Sequence, residues 1–188
     1  MHERDLGEPY LVNNDQVYIT KQPLKEAYNI TLSESIDHET KGYYELLHFF
    51  YTVSPDDIVF VRMGNFGGAL EQCVKICNAI KACQAPVHII VDAPCYSAGA
   101  IISVVGDSLD LKPGTFLMFH NYSGGERGKA GEVRSSVEAH NKNFKKFLEK
   151  FCGPFLTKPE INRIINDNDV YIYADDPDLQ KRIGRHFK

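Results

Sequence analysis

No run of about 18 consecutive apolar residues occurs in the 188-residue chain, so no membrane-spanning helix is expected. The charged opening Met1 to Glu8 is followed by no apolar stretch, so no signal peptide is expected either. No cysteine pair has C-x-x-C spacing, and the five cysteines are odd in number, which argues against a disulfide framework. Cys73 and Cys77 stand four residues apart on the apolar face of a predicted helix. With no histidine at ligand spacing, they read as small core residues rather than metal ligands, and as reduced thiols of a cytoplasmic protein. There is no excess of positive charge. The net charge of −4 argues against nucleic acid or an anionic membrane as the main partner, and Lys142, Lys145, Lys146 and Lys150 read as the wet side of a helix. Internal repeats and low-complexity tracts are absent.

What is present is an ordinary globular composition, 43% hydrophobic and 24% charged, long enough for one domain with a sizeable core. Residues 1–26 are polar and irregular, with one candidate strand at Gln16 to Thr20. From there strands and helices alternate. Tyr28 to Leu32 predicts a strand and Tyr43 to Tyr51 a buried helix, and Ser54-Pro55-Asp56-Asp57 is a turn. Ile58 to Val61 is a near-continuous apolar run, as expected for a strand covered on both faces. Gly64, Gly67 and Gly68 interrupt the chain before a helix whose apolar positions Leu70, Cys73, Val74, Cys77 and Ile80 keep helical spacing. Val87 to Val91 and Phe116 to Phe119 are further strands. The segment after Ser97 reads as a helix apolar all round. The alternation predicts an α/β core with a parallel sheet.

A glycine-rich loop over Asn121 to Gly131 leads into a long helix, about 131–151, of roughly 30 Å. Its apolar residues, from Val133 and Val137 to Phe144, Phe147, Leu148 and Phe151, form a heptad-like seam that can pack on its own domain or on another subunit. A shorter helix at Glu160 to Ile165, the turn Asp167-Asn168-Asp169, a strand at Val170 to Tyr173 and a last helix at Pro177 to Ile183 complete the chain.

The neighbourhood Tyr96-Ser97-Ala98-Gly99-Ala100 puts a serine between a predicted strand and a predicted helix. Such a serine can cap the helix, or it can be a nucleophile at a helix N-terminus where negative charge is favoured. A nucleophilic serine needs a base, a group to orient the base, and donors for an oxyanion. His120, at a strand end before the glycine-rich loop, is the candidate base, while His88, inside an apolar strand, reads as a core residue. The orienting acid could be Asp167 or Asp169, and the donors could come from the backbone around Gly67-Gly68. Cys95, two residues before Ser97, follows Pro94 and has no motif support as a nucleophile.

In order, these pieces resemble the proteolytic subunit of Clp protease, collinear from about Tyr28 to Gly184. The family's strand and glycine pair resemble Val59 to Gly68, its nucleophile motif Ser97-Ala98-Gly99-Ala100, its histidine strand Phe116 to Asn121, its handle helix Gly131 to Phe151 and its acidic turn Asp167 to Asp169. The spacings are family-like: 120 − 97 = 23 residues from serine to histidine, and 169 − 120 = 49 from histidine to the second aspartate. Departures occur where the family has a proline before the glycine pair (here Phe66), a methionine after the serine (Ala98), a proline two residues after the histidine (Tyr122), and an arginine before the last aspartate (Asn168). That arginine links stacked rings in the family.

The resemblance implies an α/β, crotonase-like spiral of ββα units with a projecting handle helix, spanning residues 27–188 after a divergent N-terminal segment 1–26 of the kind that lines an axial pore or meets a partner. It implies a serine endopeptidase of peptides or unfolded proteins with catalytic Ser97, His120 and Asp169, and an oxyanion hole from the N–H groups of Gly68 and Ala98. No metal or other cofactor is implied. The implied partners are further copies of the chain in a single or stacked ring, a heptamer being one option, and an ATP-dependent unfoldase. A catalytically silent ring subunit is the alternative; the presence of all three triad residues favours the enzyme. An acyl-CoA enzyme would share the fold but has no need of this triad.

Overall fold

The computed structural model describes residues 26–33, 35–37, 42–125 and 127–187. The expected strand at Gln16 to Thr20 lies outside them.

Two sheets organise the described chain. The larger takes the order β1-β2-β3-β5, formed by β1 (Ala27–Leu32), β2 (Ile58–Met63), β3 (Val87–Val91) and β5 (Ser108–Leu111), all parallel. The smaller takes the order β4-β6-β7: β4 (Cys95–Tyr96) runs parallel to β6 (Phe116–Phe119), which pairs antiparallel with β7 (Val170–Tyr173). Between these strands lie α1 (Tyr43–Thr52), α2 (Leu70–Ala82) and α3 (Ala98–Ser103). The C-terminal part carries α4 (Ala130–Phe151), α5 (Lys158–Ile165) and α6 (Leu179–His186).

The expected α/β alternation is found, with differences that have physical causes. β2 is not buried on both faces. Val59, Val61 and Met63 are fully buried, whereas Phe60 is half-buried and Arg62 exposed. The same alternation runs through β3, where His88 stacks on Phe60 and bonds the Ser108 hydroxyl at 2.6 Å. Within one chain the core therefore covers one face of the large sheet. The apolar side of α2, with Cys73, Ile76, Cys77 and Ile80, is buried in that core. β4 and β5 were not expected: β4 has two residues, and the Ser-Leu-Asp-Leu alternation of β5 is a weak signal at four residues.

The seam of α4 is divided. Phe144, Phe147, Leu148 and Phe151 are buried in the chain's own core, while the first half projects, with Val137 left 39% exposed. α5 begins at Lys158, two residues before the expected start, because Thr157 caps it: its Oγ accepts from the Glu160 N–H, and the Glu160 carboxylate accepts from the Thr157 N–H at 2.7 Å. α6 starts two residues later than expected and runs on to His186.

Candidate active site

The turn between β4 and α3 carries Ser97 with φ 54° and ψ −122°, a strained backbone for a residue with a Cβ. The surroundings fix it. The Tyr96 N–H donates to the Asn65 carbonyl and the Ser97 N–H to the Met118 carbonyl, both at 2.8 Å. Gly67 passes so close that a Cβ there would lie 2.7 Å from the Ser97 Cβ and 2.8 Å from the Tyr96 carbonyl oxygen. Ser97 occupies the cap position of α3, yet its side chain makes no capping bond. The capping role weighed from the sequence is not used, so the hydroxyl is not spent on the helix.

His120 directly follows β6 and is half-buried, like Ser97. The two residues line one cavity of about 280 Å³, whose other walls include Gly68, Ala98, Ile101 and Tyr122. No hydrogen bond joins Ser97 to His120 among the described residues. Triad contacts of this kind commonly tighten only when substrate binds.

Gly68 has φ +144°, and a Cβ on it would meet the Ile36 carbonyl oxygen at 1.8 Å, so the position excludes any side chain. Ile36 brackets it: the Ile36 N–H donates to the Gly67 carbonyl at 2.7 Å, and the Ile36 carbonyl accepts from the Ala69 N–H at 2.6 Å. The Gly68 N–H between them has no backbone acceptor among the described residues. Ala98 opens α3, where N–H groups have no partner inside the helix. Two N–H groups without a backbone acceptor among the described residues therefore belong to residues lining the cavity that holds Ser97.

The two aspartates are placed differently. β6 and β7 pair Phe119 with Val170, the last pair of the ladder; His120 follows the first of these residues and Asp169 precedes the second. The side chain of Asp169 is exposed and does not line the Ser97 cavity. Asp167 lines an adjoining cavity of about 440 Å³ and accepts a bond from Asn121 Nδ2 at 2.8 Å. Asn168 turns its amide back onto the Asn166 carbonyl at 2.7 Å.

Several contributors escape sequence reasoning. Asn65, 1% exposed, accepts the Gly67 N–H on its side-chain oxygen at 2.8 Å and so shapes the glycine turn. Its only signal was a polar residue between glycines. Tyr122 and Phe144, whose rings meet edge to face at 5.7 Å, wall both cavities. Cys95 is buried, and burial pushes its thiol pKa up, which keeps it protonated and unsuited to attack. Among the described residues no group of three or more His, Cys, Asp or Glu is placed to hold a metal ion, and no helix is long and apolar enough to cross a membrane.

A serine on a strained strand–helix turn thus lines one cavity with His120, Gly68 and Ala98, within a crotonase-like α/β fold. The family model for Clp protease matches residues 13–175, and the chain belongs to the Clp protease family. Membership makes it a peptidase-family hydrolase, of a family whose members assemble as rings and act on protein substrates. No curated protein matches the chain.

Proposed function

We propose that this protein is a serine endopeptidase that cuts peptides or unfolded proteins inside a ring of its own copies. The observation that carries the proposal is the cavity shared by Ser97 and His120, with the Ser97 hydroxyl free of any capping bond. In the proposed mechanism His120 takes the hydroxyl proton as Ser97 Oγ attacks the peptide carbonyl. The resulting oxyanion is held by the N–H groups of Gly68 and Ala98. The tetrahedral intermediate collapses, the C–N bond breaks, and His120 passes its proton to the leaving amine. Water, deprotonated by the same ring, then hydrolyses the acyl-enzyme and restores the serine. Asp169 fixes the tautomer and orientation of His120; the pairing of Phe119 with Val170, which His120 follows and Asp169 precedes, supports that role.

The exposed first half of α4 suits packing against another subunit. Asn168 stands where the family has a ring-linking arginine, and its side chain is satisfied within its own turn. A single ring, fed by an ATP-dependent unfoldase in the cytoplasm, is the assembly we propose. The test is hydrolysis of fluorogenic peptides by the purified assembly. Ser97→Ala should lower kcat by at least about 10³-fold. Activity that survives Ser97→Ala would overturn Ser97 as the nucleophile, and its absence from the wild type under all assembly conditions would leave the silent-subunit reading in its place.

A further inference from the structure

His120 sits at a junction held from two sides. Before it, the β6–β7 ladder ends on the pair Phe119 and Val170. After it, Asn121 reaches across to the turn between α5 and β7. Its Nδ2 group has two hydrogens and two acceptors there, the Ile165 carbonyl at 3.3 Å and Asp167 Oδ1 at 2.8 Å. Ile165 is the last residue of α5, where carbonyls lack helical partners, so Asn121 also satisfies that helix end. The side-chain oxygen of Asn121 accepts the Tyr122 N–H at 3.0 Å, which fixes the amide plane on its own loop. On the far side, Asp167 adopts φ 58°, a left-handed conformation that Asp and Asn tolerate better than other residues with a side chain. That conformation belongs to the turn that leads through Asp169 to β7.

We propose that Asn121 and Asp167 form a clamp that positions His120 against both Ser97 and Asp169. They are positioning residues, acting through the loop and turn they join, and the bond between them matters more than the charge on Asp167. Without the clamp, the hydrogen bonds that tie the strand end carrying His120 to the turn carrying Asp169 among the described residues are those of the ladder behind them. A misplacement of about 1 Å at a catalytic group can cost on the order of 100-fold in rate. The catalytic part of this inference rests on the reading of His120 as the base; the structural part does not.

Three variants separate the possibilities. Asp167→Gly suits φ 58° but removes the acceptor. Asp167→Asn keeps an acceptor oxygen and the backbone tolerance but removes the charge. Asn121→Ala removes the clamp from the other side. In peptide hydrolysis, Asp167→Gly and Asn121→Ala should each lower kcat about 10- to 100-fold with KM within about twofold, since substrate contacts are left in place. Asp167→Asn should recover most of that loss, with the pH profile of kcat/KM unmoved. The Asp167→Gly/Asn121→Ala double variant should be no worse than Asn121→Ala alone, because both remove the same bond. Amide hydrogen exchange supplies a readout independent of turnover: the Tyr122 N–H should exchange faster in Asp167→Gly than in the wild type or Asp167→Asn. Asp167→Gly behaving as wild type in both exchange and kcat would overturn the clamp. Asp167→Asn falling as far as Asp167→Gly would overturn the primacy of the bond over the charge. If the wild type hydrolyses nothing, the catalytic reading fails on its own, and the exchange comparison still decides whether the clamp exists.

Discussion

A buried ion pair ties α6 to α5, and its removal gives a prediction with a sign in pH. Arg182 is 8% exposed; its guanidinium donates to Glu160 Oε1 at 2.8 Å and Oε2 at 3.0 Å, and to the Phe155 carbonyl at 3.2 Å. Burial alone would raise the Glu160 pKa, but the bonds from Arg182 and Thr157 outweigh it and hold the carboxyl at about 2, down from 4.5. A folded pKa below the unfolded one stabilises the protein above pH 4.5, and that stabilisation drains away as pH falls toward 2. The full shift corresponds to about 3 kcal/mol, which we reduce to about 2 kcal/mol because the Glu160 side chain keeps 17% exposure to solvent. Arg182→Met should therefore cost about 2–3 kcal/mol at pH 7, or roughly 5–10 °C in Tm for a chain of this size. At pH 3 about half of the gap between wild type and variant should be gone, since Glu160 is then largely protonated in the unfolded chain. Calorimetry at the two pH values reads both numbers. A gap as wide at pH 3 as at pH 7 would refute the linkage, and no gap at pH 7 would refute the role of the pair.

Two further outcomes follow from the glycine turn. Gly68→Ala places a Cβ 1.8 Å from the Ile36 carbonyl oxygen, a backbone atom that cannot swing away, so the Gly68 N–H must move. Peptide hydrolysis should fall by about 10²-fold or more, as on losing an oxyanion donor, and steady-state kinetics on the purified assembly checks it. Asn65→Ala leaves the Gly67 N–H without its acceptor in a buried turn and should cost about 1–3 kcal/mol of stability, measured by denaturant unfolding.

Much of the fold could be read from periodicity, because β2, β3 and α2 carry long apolar patterns that have one low-energy solution. Coverage was harder to read: Phe60 and His88 look like core residues in sequence but lie on the open face of the sheet. The same limit applies to α4, where an unbroken seam hides a change from a buried half to a projecting one. At the site, Ser97, His120 and the glycine pair could be found because strand–helix turns leave local signatures. The choice between Asp167 and Asp169 rests on resemblance, since both lie exposed in one turn and neither lines the Ser97 cavity. Asn65 and the Asn121–Asp167 bond were out of reach, since one acts through a buried side-chain oxygen and the other joins residues far apart in the chain.

The central claim is that Ser97 is a nucleophile, and covalent labelling tests it most directly. The assembled protein treated with a fluorophosphonate should gain one adduct per chain, found by peptide mass spectrometry on Ser97. Labelling should be lost in Ser97→Ala and strongly slowed in His120→Ala. A wild-type assembly that takes up no label, or takes it up on another residue, would contradict the account.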